Sequence, residues 1–291
     1  MKIEFGVDTL CYHTRILAGK ITVEEAIRQC SSLGISFVQI TGGHLRGWTP
    51  SRLADLRKLA GDLGIKLAYF GGFIGLAGNG DTPETGAGRI VEAVKVASTL
   101  GSPYVSTSSG FYRAELWKEP NRIRQELEFV TEALRLAEKR AEGNVSILLE
   151  NHSDFTPDEY VQIIKGVEST RVSVFLDLVN SVSVLADPME TAQRLAPLAP
   201  AGHIKDFRMV SRYAENAGRL RRGFEVQWCY PGEGLVDLPG LLNVVSSQPR
   251  EASFWLSIEG LDNYPDIDDQ RERLSKSLAL MVQYLEPSVP A

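Results

Sequence analysis

The sequence predicts an α/β protein folded as a single (β/α)8 TIM barrel. Eight short runs rich in β-branched and aromatic residues recur along the 291 residues. Each is followed by a segment with helical period or a helix-start signal. The total length also suits an architecture that typically takes about 250 residues. An open doubly wound sheet would show the same alternation, because one sequence does not reveal the order of strands in space.

Taken in order, the strand-like runs are EFGVDTL (4–10), SFVQIT (36–41), KLAYFGGF (66–73), PYVSTSSG (103–110), VSILLENH (145–152), VSVFLDLVN (172–180), GHIKDF (202–207) and FWLSIEG (254–260). The first helix opens with Thr22 as cap and Glu25 three residues later, a capping-box pattern, and the second has Pro50 in its first turn. Helical segments continue at 82–101, 119–143 and 156–167, the last headed by Thr156 and Pro157, and then at 187–198, 236–247 and 269–285. The glycine-rich stretch GGFIGLAGNGDTPETGAG (71–88) lacks a GK[ST] ending and the tight strand-to-helix placement of a dinucleotide fingerprint. It reads as a mobile loop after the third strand.

Composition narrows the function. The chain is 43% hydrophobic with 26 glycines, enough for a full core, and its net charge is -6 without a basic block. A nucleic-acid partner held by a general basic field is not expected, nor is a membrane partner, since no run of about twenty apolar residues occurs. Glu4 and Asp8 interrupt the stretch where a signal peptide would be apolar, and Cys11, Cys30 and Cys229 form neither an even set nor a CxxC motif. A cytoplasmic enzyme without disulfides is the expectation.

The chemistry concentrates at strand ends. All four histidines, His13, His44, His152 and His203, fall at or just beyond the C-terminal end of a strand, the face on which barrel enzymes build their sites. Glu150, Asp177 and Glu259 each end an otherwise apolar strand, and GHIKDF carries His203, Lys205 and Asp206. Three carboxylates converging on one barrel mouth repel one another unless a cation neutralises them. Three carboxylates and an imidazole suit Mn²⁺ or Mg²⁺, with Co²⁺ or Zn²⁺ as further choices. Separate ion pairs with Lys205, Arg208 and their neighbours would be the purely structural alternative. Strand alternation puts Leu148, Glu150 and His152 on one face, and Trp255, Ser257 and Glu259 on another, with Asn151 turned away to tie its strand to a neighbour.

The fragments ENH, DLVN, HIKD and IEG, with the loop PGEGLVD (231–237), give the chain its likeness. It resembles the xylose isomerase-like TIM-barrel superfamily, and within it the ketose 3-epimerase and hydroxypyruvate-isomerase type of sugar isomerase/epimerase. The resemblance implies one divalent metal, Mn²⁺ first and Mg²⁺ or Co²⁺ next, bound by Glu150, Asp177, His203 and Glu259. It also implies that Glu150 and Glu259 carry protons, while the metal stabilises the enediolate left after a C–H proton is removed beside a carbonyl.

Three features depart from that pattern. Asn180 stands where such epimerases carry a histidine, and His152 follows the metal glutamate, where an imidazole could move a proton near neutral pH. Between HIKD and PGEG lies a long basic and aromatic loop insertion at about 207–234, either a solvated loop or a lid or partner-binding element. His13, His44, Lys205, Arg208 and Trp228 are the expected substrate-binding residues of a small-molecule sugar or glycoside site. Tyr12, Trp48, Phe73, Phe111, Tyr112 and Phe155 also follow strands, where they either stack on a ring or pack their loops. With ENHSDF and HIKDF, the chain also faintly resembles the larger subunit of C-glycoside deglycosidases. That likeness implies, as the alternative function, a metal-dependent lyase on 3-keto sugars, or a dehydratase, with His152 catalytic. A homo-oligomer is expected, with or without a small second subunit. An endonuclease IV-type nuclease and a non-catalytic sugar-binding barrel complete the range of expectations.

Overall fold

A computed structural model describes residues 3–213, 218, 220–260 and 267–285. Strands β1 (Ile3–Asp8), β2 (Phe37–Thr41), β3 (Lys66–Phe70), β4 (Tyr104–Thr107), β5 (Ser146–Glu150), β6 (Val172–Asp177) and β7 (Ala201–Ile204) follow one another around a closed parallel barrel. After the excursion of β8 (Asp206–Tyr213) and β9 (Arg221–Cys229), β10 (Phe254–Ile258) closes the ring between β7 and β1. The closed parallel ring excludes the open doubly wound sheet.

The helices are α1 (His13–Leu17), α2 (Val23–Ser31), α3 (Pro50–Asp62), α4 (Pro83–Leu100), α5 (Arg113–Leu116), α6 (Pro120–Arg140), α7 (Pro157–Val167), α8 (Pro188–Leu195), α9 (Leu238–Ser246) and α10 (Ile267–Leu285). Their starts are written locally: the capping box of Thr22 and Glu25 forms at α2, and Thr156 with Glu159 makes another at α7. Among the described residues, no helix is long and apolar enough to cross a membrane.

Alternation along the strands creates two cores. Outward residues such as Val38, Val105, Ile147, Val174 and Leu256 pack beneath the helices. Inward residues Phe37, Ala68, Tyr104, Leu148, Phe175 and Ala201 form a separate apolar plug inside the barrel, with Trp255 against it. The rings of Phe37 and Trp255 lie 4.7 Å apart, and Tyr104 stands 5.9 Å from Phe175. Large residues fill this layer because Gly6 on β1 leaves room: a Cβ there would lie 2.6 Å from the Phe37 ring.

Two residues further along every barrel strand but β3 the interior changes character. Asp8, Gln39, Ser106, Glu150, Asp177, His203 and Ser257 are all buried there. The plug beneath them keeps water from reaching them from below.

Two loops differ from their sequence reading. The glycine-rich segment after β3, expected to be mobile, is tied down: the buried Glu126 of α6 accepts the Ala77 and Gly78 N–H groups, both at 2.9 Å. Arg89 adds a bond to the Ile74 carbonyl (2.8 Å) and an ion pair with Asp81 (2.5 Å). The insertion at 207–234 is an antiparallel ribbon of β8 and β9 rather than a plain loop. Asp206 anchors its base by accepting the N–H groups of Phe207, Gly232, Gly234 and Val236 at 2.8–3.1 Å.

The plug makes Gly6→Ala a test of interior packing. Overpacking should cost about 1–3 kcal/mol, read as a lower denaturant midpoint. Adding Phe37→Leu should restore part of the loss. Purely additive losses in the double variant would show that the Phe37 contact is not the cause.

Candidate metal centre

Glu150 and Asp177 are the last residues of β5 and β6, His203 lies inside β7, and Glu259 follows β10 directly. The parallel register sets Asp177 and Ser257 on either side of His203, so the barrel itself gathers these groups. One ligand atom from each of Glu150, Asp177, His203 and Glu259 lies within 4.8 Å of the others. The first three residues are buried and Glu259 is partly so.

His203 shows what the cluster is arranged around. Its Nδ1 is buried without a hydrogen-bond partner, 3.4 Å from Glu150 Oε1 and 3.6 Å from Glu259 Oε1. Its Nε2 faces Asp8 Oδ2 at 3.3 Å and the Gln39 amide at 2.7 Å. The shorter of these contacts is to an amide nitrogen whose other hydrogen goes to Asp8 Oδ2, so Gln39 and Asp8 together hold the ring and leave Nδ1 facing the glutamates. Tyr104 donates to Gln39 (3.3 Å) and Gln39 to Asp8 (3.0 Å), continuing this support into the plug.

The other groups are held with equal care. Asp177 Oδ1 accepts the N–H groups of Val179 (2.8 Å) and Asn180 (2.7 Å), and Oδ2 meets Lys205 Nζ at 2.6 Å. Lys205 also contacts Glu259 and stands 5.3 Å from the Trp228 ring. Asn151 ties β5 to β6 by bonding both the carbonyl and the N–H of Asp177, each at 2.8 Å. Asn180 reaches Glu150 Oε1 at 3.4 Å.

These contacts split the two glutamates. Burial pushes the Glu150 carboxyl above its ordinary range despite the pull of His203. Burial acts the same way on Glu259, but Lys205 and then His203 outweigh it and draw the carboxyl down to about 2. For His203 and Lys205, burial opposes the charged form, yet the surrounding carboxylates raise both. Lys205 and the raised His203 thus face the carboxylates of Asp177 and Glu259 in front and Asp8 behind the ring. The partnerless Nδ1 and the oxygen-rich donor set fit a divalent cation held by Glu150, Asp177, His203 and Glu259. Of the alternative ion pairs, the Lys205 contacts form, whereas Arg208 pairs with Glu233 at 3.2 Å outside the cluster.

The remaining candidates separate into groups. His152 lies two residues beyond the end of β5, so it belongs to a loop rather than to the strand face. Its N–H donates to the Tyr160 hydroxyl at 3.0 Å. That hydroxyl also meets the Glu150 carbonyl (2.9 Å) and the Asp154 carboxylate, which Ser109 shares. His13 Nδ1 lies 2.9 Å from His44 Nε2, and His44 Nδ1 2.9 Å from the Thr9 hydroxyl, forming a pair after β1 and β2. Trp228 stands at the ribbon's base beside Lys205. Asp8, Gln39 and Tyr160 were not singled out from sequence for the site. Asp8 was detectable, since it ends an apolar strand as Glu150 and Asp177 do.

The sequence matches the family described as xylose isomerase-like TIM barrel over residues 27–285. The chain belongs to that family. No curated protein matches it significantly. Its fold is similar to that of D-psicose 3-epimerase with D-tagatose from Clostridium cellulolyticum H10, at 14% identity and TM-score 0.71, covering 98% of this chain and 100% of the other. It is also similar to a structure from Bacillus anthracis described as "the probable 3-DHS dehydratase AsbF involved in the petrobactin synthesis", at 15% identity, TM-score 0.67 and coverage of 97% and 99%. A third similar structure is a xylose isomerase-like TIM-barrel protein from Mycobacterium smegmatis in complex with magnesium, at 19% identity, TM-score 0.61 and coverage of 90% and 89%. At these identities the likenesses establish the fold.

The support behind His203 is open to direct measurement. Asp8→Asn should weaken Mn²⁺ binding about 10- to 100-fold in calorimetric titration while leaving the circular dichroism spectrum intact. Unchanged affinity would show that Asp8 does not set the ring's ligating face.

Proposed function

We propose that this chain is a divalent-metal-dependent isomerase or epimerase of a sugar or polyol, removing a proton from a carbon next to a carbonyl. The observation that carries this reading is the placement of Glu150, at the end of β5, and Glu259, just past β10, both beside the partnerless Nδ1 of His203. Glu150, Asp177, His203 and Glu259 would hold the ion, with Mn²⁺ the first choice and Mg²⁺ or Co²⁺ next. A divalent ion there supplies Lewis-acid stabilisation of the negative charge that grows on a carbonyl oxygen as the neighbouring C–H proton leaves. One glutamate takes the proton and the other returns it, at the same carbon for epimerisation or at its neighbour for isomerisation. Lys205 and Trp228 line one side and orient hydroxyl groups, with His13, His44 and Arg208 further out.

Lyase or dehydratase output is the second reading, and His152 favours it. An imidazole whose backbone is anchored just past Glu150 by the Tyr160 hydroxyl is an additional proton-transfer group that a two-glutamate exchange does not use.

A second copy of the chain is the partner we propose for the ribbon. On one face, Met209 and Val226 lie opposite each other beside Phe224, with exposures of 49%, 40% and 62%. Its strands carry Arg208, Arg212, Arg221 and Arg222 against Glu225 and the buried Asp206, while the whole chain is at -6. A basic ribbon with an apolar face complements an acidic body of the same kind.

With Mn²⁺ present, solvent deuterium should enter the reactive C–H position of a substrate ketose, followed by NMR. Glu150→Gln and Glu259→Gln should each slow that exchange about 100-fold or more. If no candidate sugar exchanges and Glu150→Gln leaves metal binding untouched, the reading fails; elimination without exchange into recovered substrate would select the lyase. Sedimentation should show a dimer that Phe224→Glu converts to monomer. A monomeric wild-type chain would overturn the second-copy reading and leave a separate subunit as the ribbon's occupant.

A further inference from the structure

Lys205 brings a positive charge into a cluster suited to a cation. It follows β7 directly, two residues after His203, so strand alternation sends the imidazole and the ammonium to the same side. Both side chains are buried. An ammonium is strongly hydrated and costly to desolvate, so a lysine is a poor occupant of such a place unless its charge is used.

The oxygens it takes decide what it does there. Asp177 Oδ1 is filled by the N–H groups of Val179 and Asn180, at 2.8 and 2.7 Å, so Oδ2 is the oxygen of that residue left for an ion. Lys205 Nζ lies 2.6 Å from the same Oδ2. On Glu259 it bonds Oε2, while Oε1 faces the partnerless Nδ1 of His203 at 3.6 Å. Two of the four proposed ligands thus carry the ammonium, one of them through an oxygen the ion would use. The Trp228 ring, 5.3 Å from Nζ, adds a cation–π contact that helps to hold it there.

A side-chain ammonium and a divalent ion that draw on the same carboxylates oppose each other. They divide the same negative charge, and at the few ångströms between neighbours on one carboxylate their repulsion is large in a buried site. Lys205 also supplies a counter-charge to Asp177 and Glu259, which buried carboxylates otherwise lack. Because β6 and β10 are the two neighbours of β7 in the ring, these bonds run from the end of β7 to both adjoining strand ends. The lysine is therefore a clasp across the barrel mouth as well as a charge.

We propose that Lys205 is a built-in competitor of the metal ion: its ammonium stands in for the ion at Asp177 and Glu259, holding the barrel mouth together before loading and keeping the bound ion exchangeable. The proposal rests on the reading of Glu150, Asp177, His203 and Glu259 as metal ligands. It gives Lys205 a positioning role distinct from contact with a sugar. A residue that only braced the ligands would strengthen ion binding, whereas Lys205 weakens it.

Calorimetric titration with Mn²⁺, and thermal melting of the full chain freed of metal by a chelator, read the two effects separately. Lys205→Met, similar in length and uncharged, should bind Mn²⁺ about tenfold more tightly, while its metal-free form should melt about 5 °C below the wild type. Saturating Mn²⁺ should close most of that gap, because the tighter complex gains more from the ion. Lys205→Gln keeps an N–H donor without the charge and should tighten binding likewise, tying the effect to charge. It also carries the test if Lys205→Met does not fold. Equal or weaker Mn²⁺ binding in these variants would overturn the proposal and leave Lys205 as a brace for the ligands. His203→Ala separates this result from the reading beneath it, since it should abolish tight Mn²⁺ binding in the wild-type and Lys205→Met backgrounds alike. Binding that survives His203→Ala would refute the metal centre itself, whereas binding lost with His203→Ala but unmoved by either Lys205 variant would refute the competitor alone.

Discussion

Three carboxylates brought together at the end of an apolar barrel are the constraint on which this structure turns. Burying an unpaired charge costs several kcal/mol even after relaxation, and Glu150 and Asp177 are buried almost completely. The fold meets this cost with fixed donors: two backbone N–H groups on Asp177, the Asn180 amide near Glu150, and the Lys205 ammonium between Asp177 and Glu259. These offset part of the charge and hold the oxygens in place. The carboxylate oxygens so held and the partnerless Nδ1 of His203 converge, so the contacts that stabilise the cluster also shape the candidate cation site.

The division of labour around the barrel follows from where each strand stops. Strands β5, β6, β7 and β10 end in groups that converge on the cluster, whereas β1 and β2 contribute the support behind His203 through Asp8 and Gln39. Strands β3 and β4 end in glycine, serine and aromatic residues instead, and their loops enclose an adjoining cavity. Beneath all of them, Phe37, Tyr104, Phe175 and Trp255 fill the interior and exclude water from the lower side. Polar chemistry at the mouth therefore rests on an apolar layer set by the same two-residue alternation.

Much of this was legible because strand periodicity and burial cost are local properties. An apolar run ending in Glu, Asp or His identifies both a strand and a strained electrostatic position, and Glu150, Asp177, His203 and Glu259 could be grouped on that basis. Asn151 could likewise be assigned to the opposite side of its strand, where it ties β5 to β6. Asp8 obeys the same pattern but lacks a neighbouring histidine in sequence; its partner His203 is nearly two hundred residues away. The tethering of the glycine-rich loop was hidden for the same reason, since Glu126 reaches it from a helix beyond β4. The ribbon was less legible: in DFRMVSRY the pairs Met209–Val210 and Ser211–Arg212 break the strand alternation, and its arginines gave the segment the look of a solvated loop.

His152 joins these levels. Were β5 to continue two residues further, the imidazole would share the inward face of Glu150 and add another group to an already crowded interior. Instead the strand ends at Glu150, and the chain turns where Tyr160 can hold the Glu150 carbonyl and the His152 N–H together. Asp154, itself buried and bonded to Ser109 and Tyr160, fixes that turn from below. The consequence is a metal-ligand candidate and an imidazole whose backbones share one anchor while their side chains serve different spaces. Ending the strand at Glu150 thus keeps the imidazole out of the carboxylate cluster and places it at the rim, in the wall of the adjoining cavity.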